Sequence, residues 1–288
     1  RDSGTGGIDT LDIRDGLRIY TLGDFSNELT GIEAVVGCPS FTELNGTDAA
    51  NTFDFTGVSV SSIERIDLGG GDDTVIGSAG ADNIVGGRGD DFLDGGEGGD
   101  TYMMIGSDGD AGIDTIRDSG TGGIDTLDIR DGLRVYTLED FSNELTGIEV
   151  IDGCPSFNIL TGTDAANTFD FTGVRVNNIE RINLGGGDDI FIGSSGADEV
   201  NGGEGNDTLS GGGGADLFFY SGGNDVITDF SGDDVVNFRK FSGNDGVRGV
   251  FNRAEQQGDD VVITYDDDNA LTLLDTSLAD LSTGDFVA

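Results

Sequence analysis

From Leu68 onward an apolar residue recurs every nine positions, at Val75, Ile84, Leu93 and Tyr102, and the spacing returns at Phe191, Val200, Leu209, Phe218, Ile227 and Val236. A period of nine fits neither the 3.6 residues of a helical turn nor the two-residue alternation of a long strand. Each apolar residue instead closes a unit whose first half is rich in glycine. The units read LGGGDDTVI, GSAGADNIV, GGRGDDFLD and GGEGGDTYM, then LGGGDDIFI, GSSGADEVN, GGEGNDTLS, GGGGADLFF, YSGGNDVIT and DFSGDDVVN. Glycine supplies backbone conformations that other residues avoid, so each first half predicts a tight turn and each second half a very short strand. Two units make one coil of eighteen residues. Coils stacked at about 4.8 Å form a parallel β-solenoid whose core is the apolar column.

Residues 1–67 and 117–183 lack good nonapeptides. They alternate short apolar runs, IDTLDI, IEAVV or IEVI, NTFDF and IERIDL or IERINL, with turn residues every ten or so positions. Residues 46–54 and 162–170 read as units without metal, with Asn51 and Asn167 at the sixth position and Phe53 and Phe169 pointing inward. These segments predict wider, calcium-poor coils continuous with the rolls; a separate β-sandwich is the alternative. After Phe238 the glycine period ends, and VVITYDDDNALTLLD predicts a hairpin turning at Asp266 to Asn269 that caps the solenoid.

The chain is also a tandem duplication. RDSGTGGIDTLDIRDGLR begins at Arg1 and again at Arg117, an offset of 116, and GTDAANTFDFTGV recurs at Gly46 and Gly162 with the same offset. The expected fold class is all-β, a parallel β-roll or β-helix solenoid in two tandem copies with a C-terminal β cap. The expected domains are 1–116 with a roll at 68–103, 117–237 with a roll at 184–237, and 238–288 as the cap. Copy two is preceded by GIDTI whereas copy one begins abruptly, so the natural protein is expected to continue upstream.

Charge narrows the chemistry. Fifty-six Asp and Glu against fourteen Lys and Arg give a formal charge of -42, which makes nucleic acid and anionic membranes poor partners and cations good ones. No apolar run approaches the roughly 18 residues of a membrane span. The absence of histidine removes His-based zinc sites, Ser-His-Asp and Cys-His systems and the HExxH motif together. The sixth position of every unit is aspartate: Asp73, Asp82, Asp91, Asp100, Asp189, Asp198, Asp207, Asp216, Asp225 and Asp234. Coils of eighteen residues stack Asp73 on Asp91, Asp82 on Asp100, Asp189 on Asp207, Asp198 on Asp216, Asp207 on Asp225 and Asp216 on Asp234. Such carboxylates repel unless a cation lies between them, and a flexible cage of carboxylate and carbonyl oxygens favours calcium over magnesium.

The ten units resemble GGxGxDxUx of the RTX (repeats-in-toxin) family, secreted bacterial proteins whose parallel β-rolls hold calcium between successive turns. The resemblance covers residues 68–103 and 184–237, and it implies that the ten aspartates and the turn carbonyls are calcium ligands. Leu68 and Leu184 replace the leading glycine, and YSGGNDVIT and DFSGDDVVN lose both, so the end sites are expected to be weaker or empty. Asp108, Asp110 and Asp114 with Gly112 read as a polar connecting turn or a separate calcium loop. The tail ending in Asp285, Phe286, Val287 and Ala288 resembles the C-terminus of proteins exported by bacterial type I secretion, and is also readable as a last strand or short helix of the cap.

The function this implies is non-catalytic: a calcium-binding module of a secreted, extracellular or cell-surface protein, serving as spacer, adhesin or matrix segment. Its expected partners are calcium, the type I secretion apparatus and other copies of itself. The alternatives are the C-terminal module of an RTX exoenzyme and a self-assembling surface-layer or filament subunit. Arg88-Gly89-Asp90 spells an adhesive tripeptide that the turn already explains, and the sequons at Asn45 and Asn206 carry little weight. Cys38 and Cys154, at equivalent places in GCPSF, read as small buried residues before a turn or as cross-links between chains or copies in an oxidising medium.

Overall fold

The computed structural model describes residues 8–14, 19–26, 31–38, 41–105, 112–130, 135–142, 146–155, 158–238 and 246–287. Short strands, mostly of three residues, follow one another at each turn, and all but those of the C-terminal hairpins pair in parallel. The chain forms two compact units, residues 1–134 with 144–156, and 135–143 with 157–288. This partition does not follow the 116-residue copies. Thr126–Ile129 and Val150–Gly153, from the second copy, stack on Thr101–Met103 of the first, so the packing of coils and not the repeat decides where they belong.

The first unit begins three-sided. Thr10–Asp12, Ala34–Val36 and Ser59–Ser61 line one face. Ile19–Thr21, Glu43–Asn45, Arg65–Asp67, Asn83–Val85 and Thr101–Met103 line the second. Phe25–Ser26, Thr52–Asp54, Thr74–Ile76, Phe92–Asp94 and Thr115–Ile116 line the third. The first face stops at Ser59–Ser61, where the nonapeptides begin and two strands per coil suffice. Phe25, Phe53 and Phe55 fill the wide part, with Phe25 and Phe55 rings 5.1 Å apart. Wide coils and rolls are therefore continuous in this unit, as the flanking pattern predicted, and among the described residues no sandwich of separate sheets forms there.

The second unit repeats the scheme. Val135–Thr137, Ile159–Thr161, Arg181–Asn183, Glu199–Asn201, Leu217–Phe219 and Val235–Asn237 form one face. Phe141–Ser142, Thr168–Asp170, Ile190–Ile192, Thr208–Ser210 and Asn224–Ile227 form another. In both units the eighth-position side chain of every nonapeptide is inside and almost wholly shielded from water. Burying such a side chain contributes about 1.5–3 kcal/mol, which is what offsets the entropy of ordering so much glycine.

The C-terminal end closes both faces. Asp260–Thr264 and Ala270–Leu273 form an antiparallel hairpin around residues 265–269, and Ala270–Leu273 continues the sheet from Asn224–Ile227. Phe286–Val287 continues the other sheet from Val235–Asn237. Phe286 is buried with its ring 5.8 Å from Phe238 and 6.0 Å from Phe251, which lies in a six-residue helix, Gly246–Phe251. The tail thus supplies a strand of the cap; Ala288 lies outside the described residues. Cys38 and Cys154 are half-buried and both fall in the first unit. Among the described residues no helix is long and apolar enough to cross a membrane.

Candidate metal centre

Glycine shapes the turns where coils approach most closely. In GGRGDDFLD, Gly87 and Gly89 have φ of 102° and 114°, and a Cβ on them would lie 2.2 Å from Gly69 O and 2.3 Å from Gly71 O, eighteen residues earlier. Only glycine fits, because the conformation is left-handed and the neighbouring coil fills the space. The chain then turns the next residues alternately out and in. Position five faces water, as Asp72, Asp90, Asp188 and Asp233 show. Position six faces in, and all ten of its aspartates are buried.

Most position-six carboxylates accept from the coil before them. Asp73 N–H donates to Asp91 Oδ1 at 2.8 Å and Asp82 N–H to Asp100 Oδ1 at 2.8 Å. In the second block Asp189 donates to Asp207 at 3.0 Å, Asp198 to Asp216 at 2.8 Å, Asp207 to Asp225 at 3.1 Å and Asp216 to Asp234 at 2.9 Å. These are the six stacked pairs that the eighteen-residue period predicted. Eight of the ten second oxygens fall into two classes. Asp82 Oδ2 accepts from Ser78 N–H, Asp198 Oδ2 from Ser194 N–H and Asp234 Oδ2 from Ser231 N–H. Oδ2 of Asp73, Asp91, Asp100, Asp189 and Asp207 is buried with no hydrogen-bond donor.

A buried carboxylate oxygen without a donor is costly, and it is satisfied by a proton or a cation. Burial, chiefly, pushes Asp73 and Asp189 up to about 6, Asp91 and Asp100 to about 7, Asp216 to about 6 and Asp225 to about 8, and it raises Asp82, Asp198 and Asp207 as well. The space beside these oxygens is kept open by glycine: a Cβ on Gly86 would stand 2.5 Å from Asp91 Oδ2, and one on Gly202 2.2 Å from Asp207 Oδ2. Orphaned hard oxygens beside a gap that no side chain fills suit a hard divalent ion.

A family model for the RTX calcium-binding nonapeptide repeat (4 copies) matches residues 67–102, 183–219 and 221–240. The chain carries RTX repeats. RTX nonapeptide repeats bind Ca2+. No curated protein matches the chain significantly. The crystal structure of extracellular lipase LipA from Serratia marcescens overlays with a TM-score of 0.38 at 24% identity, covering 77% of this chain and 40% of the lipase chain. That likeness is too weak to carry an argument, and the chain spans well under half of the lipase.

The RTX match in the first block stops at residue 102, yet the ladder goes on. Asp91 N–H donates to Asp114 Oδ1 at 3.1 Å, Asp100 N–H to Asp125 Oδ1 at 2.7 Å and Asp125 N–H to Glu149 Oε2 at 2.8 Å. The steps lengthen from 18 residues to 23, 25 and 24. GDAGIDTIR and GTGGIDTLD are nonapeptides displaced by short insertions, with Asp114 and Asp125 at position six and Ile116 and Leu127 buried at position eight. The sequence pattern missed them because the register shifts, although the spacing from glycine to aspartate to apolar residue is kept. Of the residues expected to form a junction loop, Asp114 takes this ladder position with Gly112 in its turn; Asp108 and Asp110 lie outside the described residues.

The units with asparagine at position six satisfy its side chain differently. Asn51 Oδ1 accepts from Thr47 N–H at 2.7 Å and Asn167 Oδ1 from Thr163 N–H at 2.8 Å, while their own N–H groups donate to Asp73 and Asp189. An amide carries no charge to offset, and here its oxygen is satisfied within its own turn. Arg88 is exposed, and its N–H is tied to Gly69 O at 3.1 Å, so the adhesive-looking tripeptide is part of the turn.

Proposed function

We propose that the chain is a calcium-binding RTX module of a secreted bacterial protein, folding on calcium after export and serving as a spacer or adhesin segment, with its export signal in residues 238–288. The observation that carries this reading is duplication of structure as well as sequence. Thr52–Asp54, Thr74–Ile76 and Asn83–Val85 return 116 residues later as Thr168–Asp170, Ile190–Ile192 and Glu199–Asn201, with the same aspartate ladder beside them. Repeating a unit lengthens a stalk, whereas catalysis needs one asymmetric site. The position-six carboxylates, which acid–base chemistry could otherwise use, are engaged in the ladder.

The ten position-six aspartates would hold the ions, strongest where Oδ2 has no donor. Bound calcium supplies positive charge between stacked carboxylates. Six ions would bring the formal charge from -42 to about -30. Because the sites exist only in the folded chain, binding free energy is folding free energy. Where calcium is scarce the chain stays extended and its tail accessible; where calcium is abundant Phe286 is drawn into the cap.

Circular dichroism tests the reading. Chelated protein should lack a β spectrum, millimolar calcium should produce one, and equal magnesium should not. A spectrum indifferent to chelator overturns it.

A further inference from the structure

Among the described residues, one group of three carboxylates brings its oxygens within 4.8 Å of one another: Asp100, Asp118 and Asp125. Asp118 belongs to no nonapeptide. It sits in the two-residue insertion between the displaced units GDAGIDTIR and GTGGIDTLD, beyond the end of the RTX match at residue 102. Its backbone is fixed by Asp118 N–H donating to Thr146 O at 2.6 Å. Its side chain is fixed by Tyr102, whose buried hydroxyl accepts from Gly95 N–H at 2.6 Å and donates to Asp118 Oδ1 at 3.2 Å.

A separate observation points to a ligand. Asp100 is wholly buried, its Oδ1 is used by Asp82 N–H, and its Oδ2 has no donor. That oxygen lies beside Gly95, where a Cβ would come within 2.3 Å of it, and Gly95 N–H donates to the Tyr102 hydroxyl. The Asp118 and Asp125 carboxyls are also in contact with each other. Two ionised carboxyls hold such a contact only with a proton or a cation between them.

We propose that Asp100, Asp118 and Asp125 form a three-carboxylate site for a hard multivalent cation, Ca2+ in solution, with Tyr102 as the residue that positions Asp118. It differs from the two-aspartate RTX pairs in drawing its third ligand from outside the repeat. The second copy has Phe218 at the place of Tyr102, so the hydroxyl that orients the third carboxylate is missing there. The site goes beyond the nonapeptide reading but rests on the same calcium-bound fold.

Terbium(III), a hard oxygen-seeking ion that luminesces when a nearby phenol is excited, is the probe. The chain has five tyrosines and no tryptophan, so emission reports which site is filled. Tyr102→Phe should remove one component of tyrosine-sensitised emission while the β spectrum in calcium persists. Asp118→Asn should raise the terbium concentration that half-saturates that component at least tenfold, and Asp233→Asn, at an exposed position outside the ladder, should leave it unchanged. An unchanged half-saturation in Asp118→Asn, or unchanged emission in Tyr102→Phe, overturns the proposal. Should Asp118→Asn fail to fold in calcium, Asp118→Glu decides: a shift of threefold or more in the Tyr102 component supports the site, and no shift overturns it. Emission from the second block alone, where Tyr220 donates to Gly223 O in the turn before Asp225, sinks this site and spares the nonapeptides. No sensitised emission from either block sinks both.

Discussion

Replacing Asp91 by alanine separates the two faces of an RTX turn, and Asp72 is its control. Asp91 is 2% exposed, and its Oδ1 accepts the Asp73 N–H at 2.8 Å. Losing a hydrogen bond to a charged group costs about 1.5–3 kcal/mol, and the stranded N–H of Asp73 is buried with it. Loss of one carboxylate ligand adds at least about tenfold in calcium affinity, or about 1.4 kcal/mol. In millimolar calcium the variant should therefore be about 3–4 kcal/mol less stable to urea. In chelator the balance changes, because burial of the unpaired Asp91 carboxyl is itself unfavourable and alanine removes it. The deficit should shrink or reverse. Asp72 is exposed and its Oδ1 accepts only the exposed Asp90 N–H at 3.1 Å, so Asp72→Ala should cost less than about 1 kcal/mol in either medium. Calorimetric calcium titration and urea unfolding of both variants, with and without chelator, check this. Equal losses, or a larger loss for Asp72, would show that positions five and six have been assigned to the wrong sides of the turn.

Acid should partly replace calcium. Asp91, Asp100 and Asp225 have folded-state values of about 7, 7 and 8, above the ordinary 3.8, so the folded chain takes up protons first. Their penalty is full above about pH 8 and fades as pH falls from about 8 towards the ordinary 3.8, so chelated protein should gain β signal between pH 9 and 4; a flat or falling signal refutes this. Gly89→Ala should cost about 2–4 kcal/mol, because φ is 114° and the new Cβ would meet Gly71 O at 2.3 Å. Gly57→Ala, at φ 73° with open space around it, should cost about 1 kcal/mol, and the two are ranked by urea midpoints. Phe286→Ala should remove about 3 kcal/mol from the cap, raising the calcium concentration at the circular-dichroism midpoint; an unchanged midpoint would mean the last strand does not support the rolls.

The rolls were legible because glycine, aspartate and an apolar residue each answer to one local constraint: a left-handed turn, an inward carboxylate and a core position. Asp73 and Val75 need no knowledge of the rest of the chain to be placed. Asp114 and Asp125 were hidden because insertions shift their period while three-dimensional stacking absorbs the extra residues as loop. The third face of the wide coils, with Val35 at its centre, was legible in part: IDTLDI and IEAVV stand out as short apolar runs, but that they stack on one another as a separate face did not. Its strands recur at 24 and 25 residues, a spacing that no fixed nonapeptide marks. The hairpin around 265–269 was readable from turn chemistry alone. That Phe286 would also serve as a core ring of the cap depended on long-range pairing with Val235–Asn237.

The aspartate ladder has a polarity. In every position-six rung the backbone donor belongs to the earlier coil and the carboxylate acceptor to the later one. Position five runs the other way: Asp90 N–H donates to Asp72 Oδ1 and Asn206 N–H to Asp188 Oδ1, the later coil to the earlier. Neighbouring coils of a roll are therefore tied in both senses, from inside by the buried rungs and from outside by the exposed ones. Removing a terminal coil at either end leaves its neighbour with both a donor and an acceptor for water to serve.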